Sequence, residues 1–124
     1  MRVKHLTEET FGPTVKEGIV LLDWWAAWCG PCRRFAPTFE AAAEKHPGVV
    51  FGKIDTEDQP GLAQTFDIRS IPTVMAFRDG ILLFSQPGVL SAEQLDDLIM
   101  QLEAVDMDDV RRKVAELEGA APTP

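Results

Sequence analysis

The run Ile19-Val20-Leu21-Leu22-Asp23-Trp24-Trp25 is apolar at every position except Asp23, where a half-buried strand would alternate. That pattern predicts a strand buried on both faces, the central strand of an α/β sheet. Upstream, Val3 to Leu6 reads as a short edge strand, and a helix starts after Thr7 with Phe11 and Val15 on one face before Gly18 ends it. Downstream, a helical segment reaches about Lys45, with Phe35, Phe39, Ala42 and Ala43 along one side. Pro37 inside it predicts a kink, and His46-Pro47-Gly48 stops it. Val49 to Asp55 reads as a second strand, with Phe51 and Lys53 on one face and Val50 and Ile54 on the other. Gln59-Pro60-Gly61 opens a short helix through Phe66. Thr73–Phe77 and Ile81–Phe84 are strands joined by Asp79-Gly80, a strong hairpin signal flanked by Arg78.

Ser91-x-x-Gln94 is a capping box for a helix whose apolar stripe is Leu95, Leu98, Ile99, Leu102 and Val105. Asp106 to Leu117 gives a further helical stretch with a thin edge of Val110, Val114 and Leu117. The expected organisation is one α/β domain over residues 1–105, a C-terminal helical extension over 106–118 and a disordered tail over 119–124. The element order predicts parallel strands joined by right-handed helical crossovers, with one antiparallel hairpin at an edge.

Composition narrows the function. The 124 residues are 45% apolar and 26% charged, which is ordinary for a soluble globular domain. A net charge of −8 argues against nucleic acid and anionic membranes, since both need basic patches. No run approaches the ~18 apolar residues of a membrane span, and the first residues offer no signal-peptide core. The two cysteines, Cys29 and Cys32, are too few for a disulfide framework. Together these features predict a working pair in a reducing cytoplasm.

Cys29 falls where a strand ends and a helix begins. Unpaired N–H groups and the positive end of the helix dipole therefore face its sulfur and favour the thiolate, the form that attacks disulfides. Arg33 and Arg34 add positive charge in the first turn. Cys32, one turn inward and less exposed, is then the thiol that resolves a mixed disulfide. Gly30 permits the turn, and Pro31 gives up a donor that a helix start would orphan anyway. Asp23 in an apolar strand should have a pKa raised toward neutrality and so suits a general base for Cys32, with Lys53 alongside to moderate its charge. A structural pairing of Asp23 with Lys53 is the alternative. Trp25 and the phenylalanines read as core, and Trp28 as a shield or cover for the site. A zinc site needs four ligands, and neither a second cysteine pair nor ligand-like spacing of His5 and His46 provides them, so no metal is expected.

The segment Asp23-Trp24-Trp25-Ala26-Ala27-Trp28-Cys29-Gly30-Pro31-Cys32 resembles the active-site segment of the thioredoxin family. Lys53-Ile54-Asp55, Ile68-Arg69-Ser70-Ile71-Pro72-Thr73, Phe77-Arg78-Asp79-Gly80 and Gly88-Val89-Leu90-Ser91 resemble family positions in the same order. Over roughly residues 3–104 the resemblance implies a thioredoxin fold, a mixed five-stranded sheet flanked by four helices. It implies a monomeric protein-disulfide reductase with no bound cofactor, receiving electrons from NADPH through thioredoxin reductase and passing them to disulfide-containing proteins. It makes Cys29 the nucleophile, Cys32 the resolving thiol and Asp23 with Lys53 the buried proton-handling pair. It makes Ile71-Pro72 a cis-peptide loop, and Trp28, Gly30, Pro31, Ile71, Pro72, Gly88 and Val89 a docking surface for an extended substrate segment. Trp24 and Pro87 depart from the family pattern, and the chain after Ala104 has no counterpart in it. An oxidase or isomerase, or a non-catalytic clamp, are the competing readings; the Gly-Pro spacer favours the reductase.

Overall fold

A computed structural model describes residues 2–120. Five strands and five helices follow one another as β1 (Val3–His5), α1 (Glu8–Val15), β2 (Ile19–Trp25), α2 (Gly30–Lys45), β3 (Val50–Asp55), α3 (Pro60–Thr65), β4 (Thr73–Arg78), β5 (Ile81–Pro87), α4 (Ala92–Ala104) and α5 (Met107–Ala120). They form one mixed sheet in the order β1-β3-β2-β4-β5. β1, β3 and β2 are parallel, while β4 is antiparallel to both β2 and β5.

The continuous apolar run is β2, at the centre of the sheet, with Val20 to Trp24 wholly buried. Period-two alternation divides its side chains between two cores. Leu21, with Phe51, Val74 and Ala76, packs under Phe35, Phe39, Leu95, Ile99 and Leu102 of α2 and α4. Val20, Leu22 and Trp24, with Ile54, Met75 and Phe77, pack under Phe11 and Val15 of α1 and against Leu62 and Phe66. Thr7 closes α1 with a reciprocal capping box, and Ser91 with Gln94 does the same for α4. Asp79 and Gly80 both take positive φ, 51° and 82°, the pair of values that a two-residue hairpin of this hand requires. Pro37 sits inside α2 without dividing it.

Five expectations change. Trp24 is the buried tryptophan; Trp25, read as core, is only half-buried because it ends β2 on the opposite face, at the edge of the α2 and α4 cover, where it lies against Ala26, Cys29 and Cys32. β4 does not complete a parallel crossover after β3. It begins opposite Trp24, at the end of the sheet where β3 finishes beside Trp25, so residues 56–72 stay at one end and β4 runs back. β5 continues to Pro87, because Ser85, Gln86 and Pro87 pair with Met75, Val74 and Thr73 after an irregularity at Ala76/Phe77. Val105 leaves the α4 stripe to cap that helix in extended conformation, and Met107 of α5 is the buried apolar residue there. α5 also includes Gly119 and Ala120, where a tail was expected; residues 121–124 lie outside the described residues.

The α4–α5 junction is held from the sheet. Arg78 donates to the carbonyls of Leu102 at 2.6 Å and Val105 at 2.9 Å, satisfying groups that a helix C-terminus leaves unpaired. Arg111 of α5 reaches Asp79 at 3.1 Å, and Asp79 also accepts from the Gly18 N–H at 2.9 Å. Replacing Arg78 with Met removes charged donors from part-buried acceptors. The expected loss is about 1–3 kcal/mol in urea unfolding; an unchanged midpoint would mean that water serves those carbonyls equally well.

Candidate active site

The site lies at the C-terminal end of β2, where the strand passes through residues 26–29 into α2. Cys29 is the N-cap of α2 in extended conformation, and its Sγ accepts the Cys32 N–H at 3.2 Å. Pro31 occupies the first turn, where its missing N–H costs nothing, and no acidic residue lies there. Cys29 and Cys32 are joined in a disulfide with Cα atoms 5.2 Å apart. Both are buried, Cys32 slightly more (2% exposed against 4%). Arg33, in place of facing the sulfur, donates to the Ala27 carbonyl at 2.8 Å and braces the turn.

The Ile71-Pro72 loop meets the disulfide, and Gly88 joins that loop. The Ile71-Pro72 bond is cis, with Pro72 buried and the Ile71 carbonyl oxygen 3.7 Å from the Cys29 sulfur. Gly88 takes φ +103°, a conformation that favours glycine, and its N–H donates to the Pro72 carbonyl at 2.8 Å. Nothing lies within 4 Å of where a Cβ on Gly88 would stand, so that backbone is open. Trp28, next to Cys29 in the chain, is 66% exposed, with its Nε1–H donating to Glu57 at 3.2 Å. Val89 is also exposed, at 51%. Glu57 is a member of the site that sequence reasoning missed. Its only local mark is a turn, built by the Asp55 carboxylate accepting the N–H groups of Glu57 and Asp58.

Asp23, Lys53 and His5 form one row across β2, β3 and β1. Asp23 is fully buried, and neither carboxylate oxygen has a hydrogen-bond partner among the described residues. Burial pushes its pKa up to about 7, and the positive charge of Lys53 holds it back only in part. The expected pairing is not a contact: the Lys53 ammonium lies over the Trp25 ring, 4.6 Å from its centroid. His46, read as a helix-end residue, caps α2 and bonds Asp96 of α4 at 2.7 Å; Lys45 holds the other Asp96 oxygen at 2.5 Å. These partners keep the Asp96 carboxyl below the usual carboxylate range. The clasp ties down the end of α2 remote from the cysteines.

A Cys-x-x-Cys disulfide at a helix N-terminus, faced by a cis-proline loop, makes this protein a thiol–disulfide oxidoreductase. The Thioredoxin family pattern matches residues 2–104. The chain is 52% identical over 118 residues to the Streptomyces coelicolor protein named "Putative thioredoxin 2", covering 94% of this chain and 88% of that one. It is 38% identical over 97 residues to the Chlamydia pneumoniae protein named "Thioredoxin", covering 78% and 95%. The chain belongs to the thioredoxin family.

Asp23 makes stability depend on pH. Its pKa rises from 3.8 to about 7 on folding, so the folded state holds the proton more tightly. Stability is therefore full below about pH 4 and falls as pH rises through about 7, by roughly 4 kcal/mol at ~1.4 kcal/mol per pH unit. Asp23→Asn should remove this slope and be more stable than the parent at pH 8, with little difference at pH 4. Parallel denaturation curves for the two proteins at all pH values would contradict the buried-acid assignment.

Proposed function

We propose that the protein is a reductase of protein disulfides and that Cys29 is its nucleophile. The observation that carries this reading is the Cys29 sulfur serving as the N-cap acceptor of α2, which favours the thiolate. In the reduced protein the Cys29 thiolate attacks a substrate disulfide. Cys29 becomes joined to one substrate sulfur, and the other leaves as a thiolate that takes up a proton. Cys32 gives its proton to the Asp23 carboxylate and attacks the Cys29 sulfur. The Cys29–Cys32 bond forms as the bond from Cys29 to the substrate breaks; the second substrate sulfur leaves as a thiolate and is protonated, and Asp23 gives up the proton it took. Two electrons and two protons pass to the substrate, and the dithiol is oxidised.

Trp28, Gly30, Pro31, Ile71, Pro72, Gly88 and Val89 form the docking surface. Its support is the exposure of Trp28 and Val89 and the open backbone at Gly88. An extended substrate segment would pair there by strand addition. Lys53 tempers the charge of Asp23. Electrons come from NADPH through thioredoxin reductase, and the protein works as a cytoplasmic monomer, without nucleic acid or membrane. Residues 1–105 carry this activity, and α5 is an extension fastened to the far end of the sheet.

Cys29→Ser should abolish reduction of insulin, whereas Cys32→Ser should accumulate mixed disulfides through Cys29, seen by mass spectrometry. Adducts forming through Cys32 in a Cys29→Ser protein would reverse the roles. The pair should equilibrate near about −270 mV, the value of thioredoxin itself carried over to this family member. A potential near about −120 to −180 mV would make it an oxidant or isomerase.

A further inference from the structure

We propose that Trp25 is a positioning residue: its indole face holds the Lys53 ammonium and so keeps it from pairing with the buried Asp23 carboxylate. The inference rests on the reading above for its catalytic consequence, and on geometry for everything else. Asp23 and Lys53 are direct neighbours on adjacent parallel strands, and their side chains share the face turned to α2. That placement would ordinarily give an ion pair. Yet both Asp23 oxygens are without a partner among the described residues, while Lys53 Nζ lies 4.6 Å from the Trp25 centroid. A cation at that distance over an indole is attracted by the ring's negative face, more strongly where water is excluded. Lys53 is only 9% exposed.

Trp25 is itself held. The His5 ring meets it edge-on at 6.3 Å from the outer strand, and Ala26, Cys29 and Cys32 pack against it on the side of the site. Trp25 thus touches both the ammonium and the cysteine cluster. The other residue paired in register with Asp23 is Val74 on β4, which is apolar; His5 and Asp55 lie further along the row and the strand. Among the described residues, Lys53 is the cation that acts on Asp23, and the Trp25 ring diverts it. The consequence is an acid that stays protonatable near neutral pH, as the proposed proton transfer from Cys32 requires. A close Lys53–Asp23 pair would lower the proton affinity of Asp23 and weaken it as a base.

The test is the titration of the Asp23 carboxyl by carbon-detected NMR in the full-length protein, with insulin reduction followed against pH. Trp25→Leu should lower the Asp23 midpoint by about one pH unit as Lys53 swings onto the carboxylate. Trp25→Phe, which keeps a ring, should give a smaller shift. Loss of the ring could also admit water to Asp23, which would lower its midpoint independently of Lys53. Lys53→Met separates the two causes: in that background Trp25→Leu should leave the midpoint where Lys53→Met alone puts it. An equal shift with and without Lys53, or no shift in the Lys53-containing protein, overturns the proposal. If the midpoint moves as expected but the pH profile of turnover does not follow it, Trp25 does position Lys53, and it is the role of Asp23 in catalysis that fails.

Discussion

The first amide groups of α2 have no carbonyls to bond, and the acceptor the chain sets there is the Cys29 sulfur. A cap that is also the reacting atom couples the reactivity of the site to the folding of the helix. For the sulfur to hold that place, β2 must end where α2 begins, and α2 must lie fixed on the sheet. Both conditions trace to β2. Its buried run anchors the strand at the centre, and Phe35 and Phe39 of α2 bury against the face that Leu21 and Phe51 present. The His46–Asp96–Lys45 clasp secures the opposite end of the helix to α4.

The connectivity supplies the second half of the site. Because β4 turns back antiparallel, the 56–72 segment remains at the end of the sheet where Cys29 lies. Its two ends then serve the site: Glu57 holds Trp28, and the Ile71 carbonyl oxygen approaches Cys29. A parallel β4 would have carried the proline loop to the opposite end. Pro87 and Gly88 arrive there because β5 runs three residues beyond the expected Phe84. The surface that results is an exposed ring and open backbone around a covered disulfide, a shape suited to an extended polypeptide. A cleft of about 330 Å³ between β1 and α2, lined by Arg2, Val3, Pro37, Glu40, Ala41 and Glu44, includes neither cysteine.

The charged row behind the site shows how energetics and function meet. Asp23 is held in a setting that opposes its ionisation, and this lowers the stability of the fold at neutral pH. An isolated carboxylate tolerated at the centre of an apolar strand is more readily understood as serving the chemistry than as serving the fold. Trp24, on the opposite face of the same strand, buries an indole N–H without a partner among Phe11, Phe66 and Phe77. The two residues are neighbours in sequence and belong to different cores.

By itself the sequence determined most of the elements, the central place of β2, the redox pair, the place of Asp23 in a doubly buried strand and the hairpin at Asp79-Gly80. Each depends on period, capping or backbone preference within a few residues. Only the tertiary structure decided the direction of β4, the length of β5, the choice of Trp24 over Trp25 as the buried ring, the tether from Glu57 to Trp28 and the turn of Lys53 away from Asp23. Alternation assigns a side chain to a face of the sheet. What covers that face, and which neighbour captures a flexible ammonium or a projecting indole, depends on residues tens of positions away whose distance is set by packing.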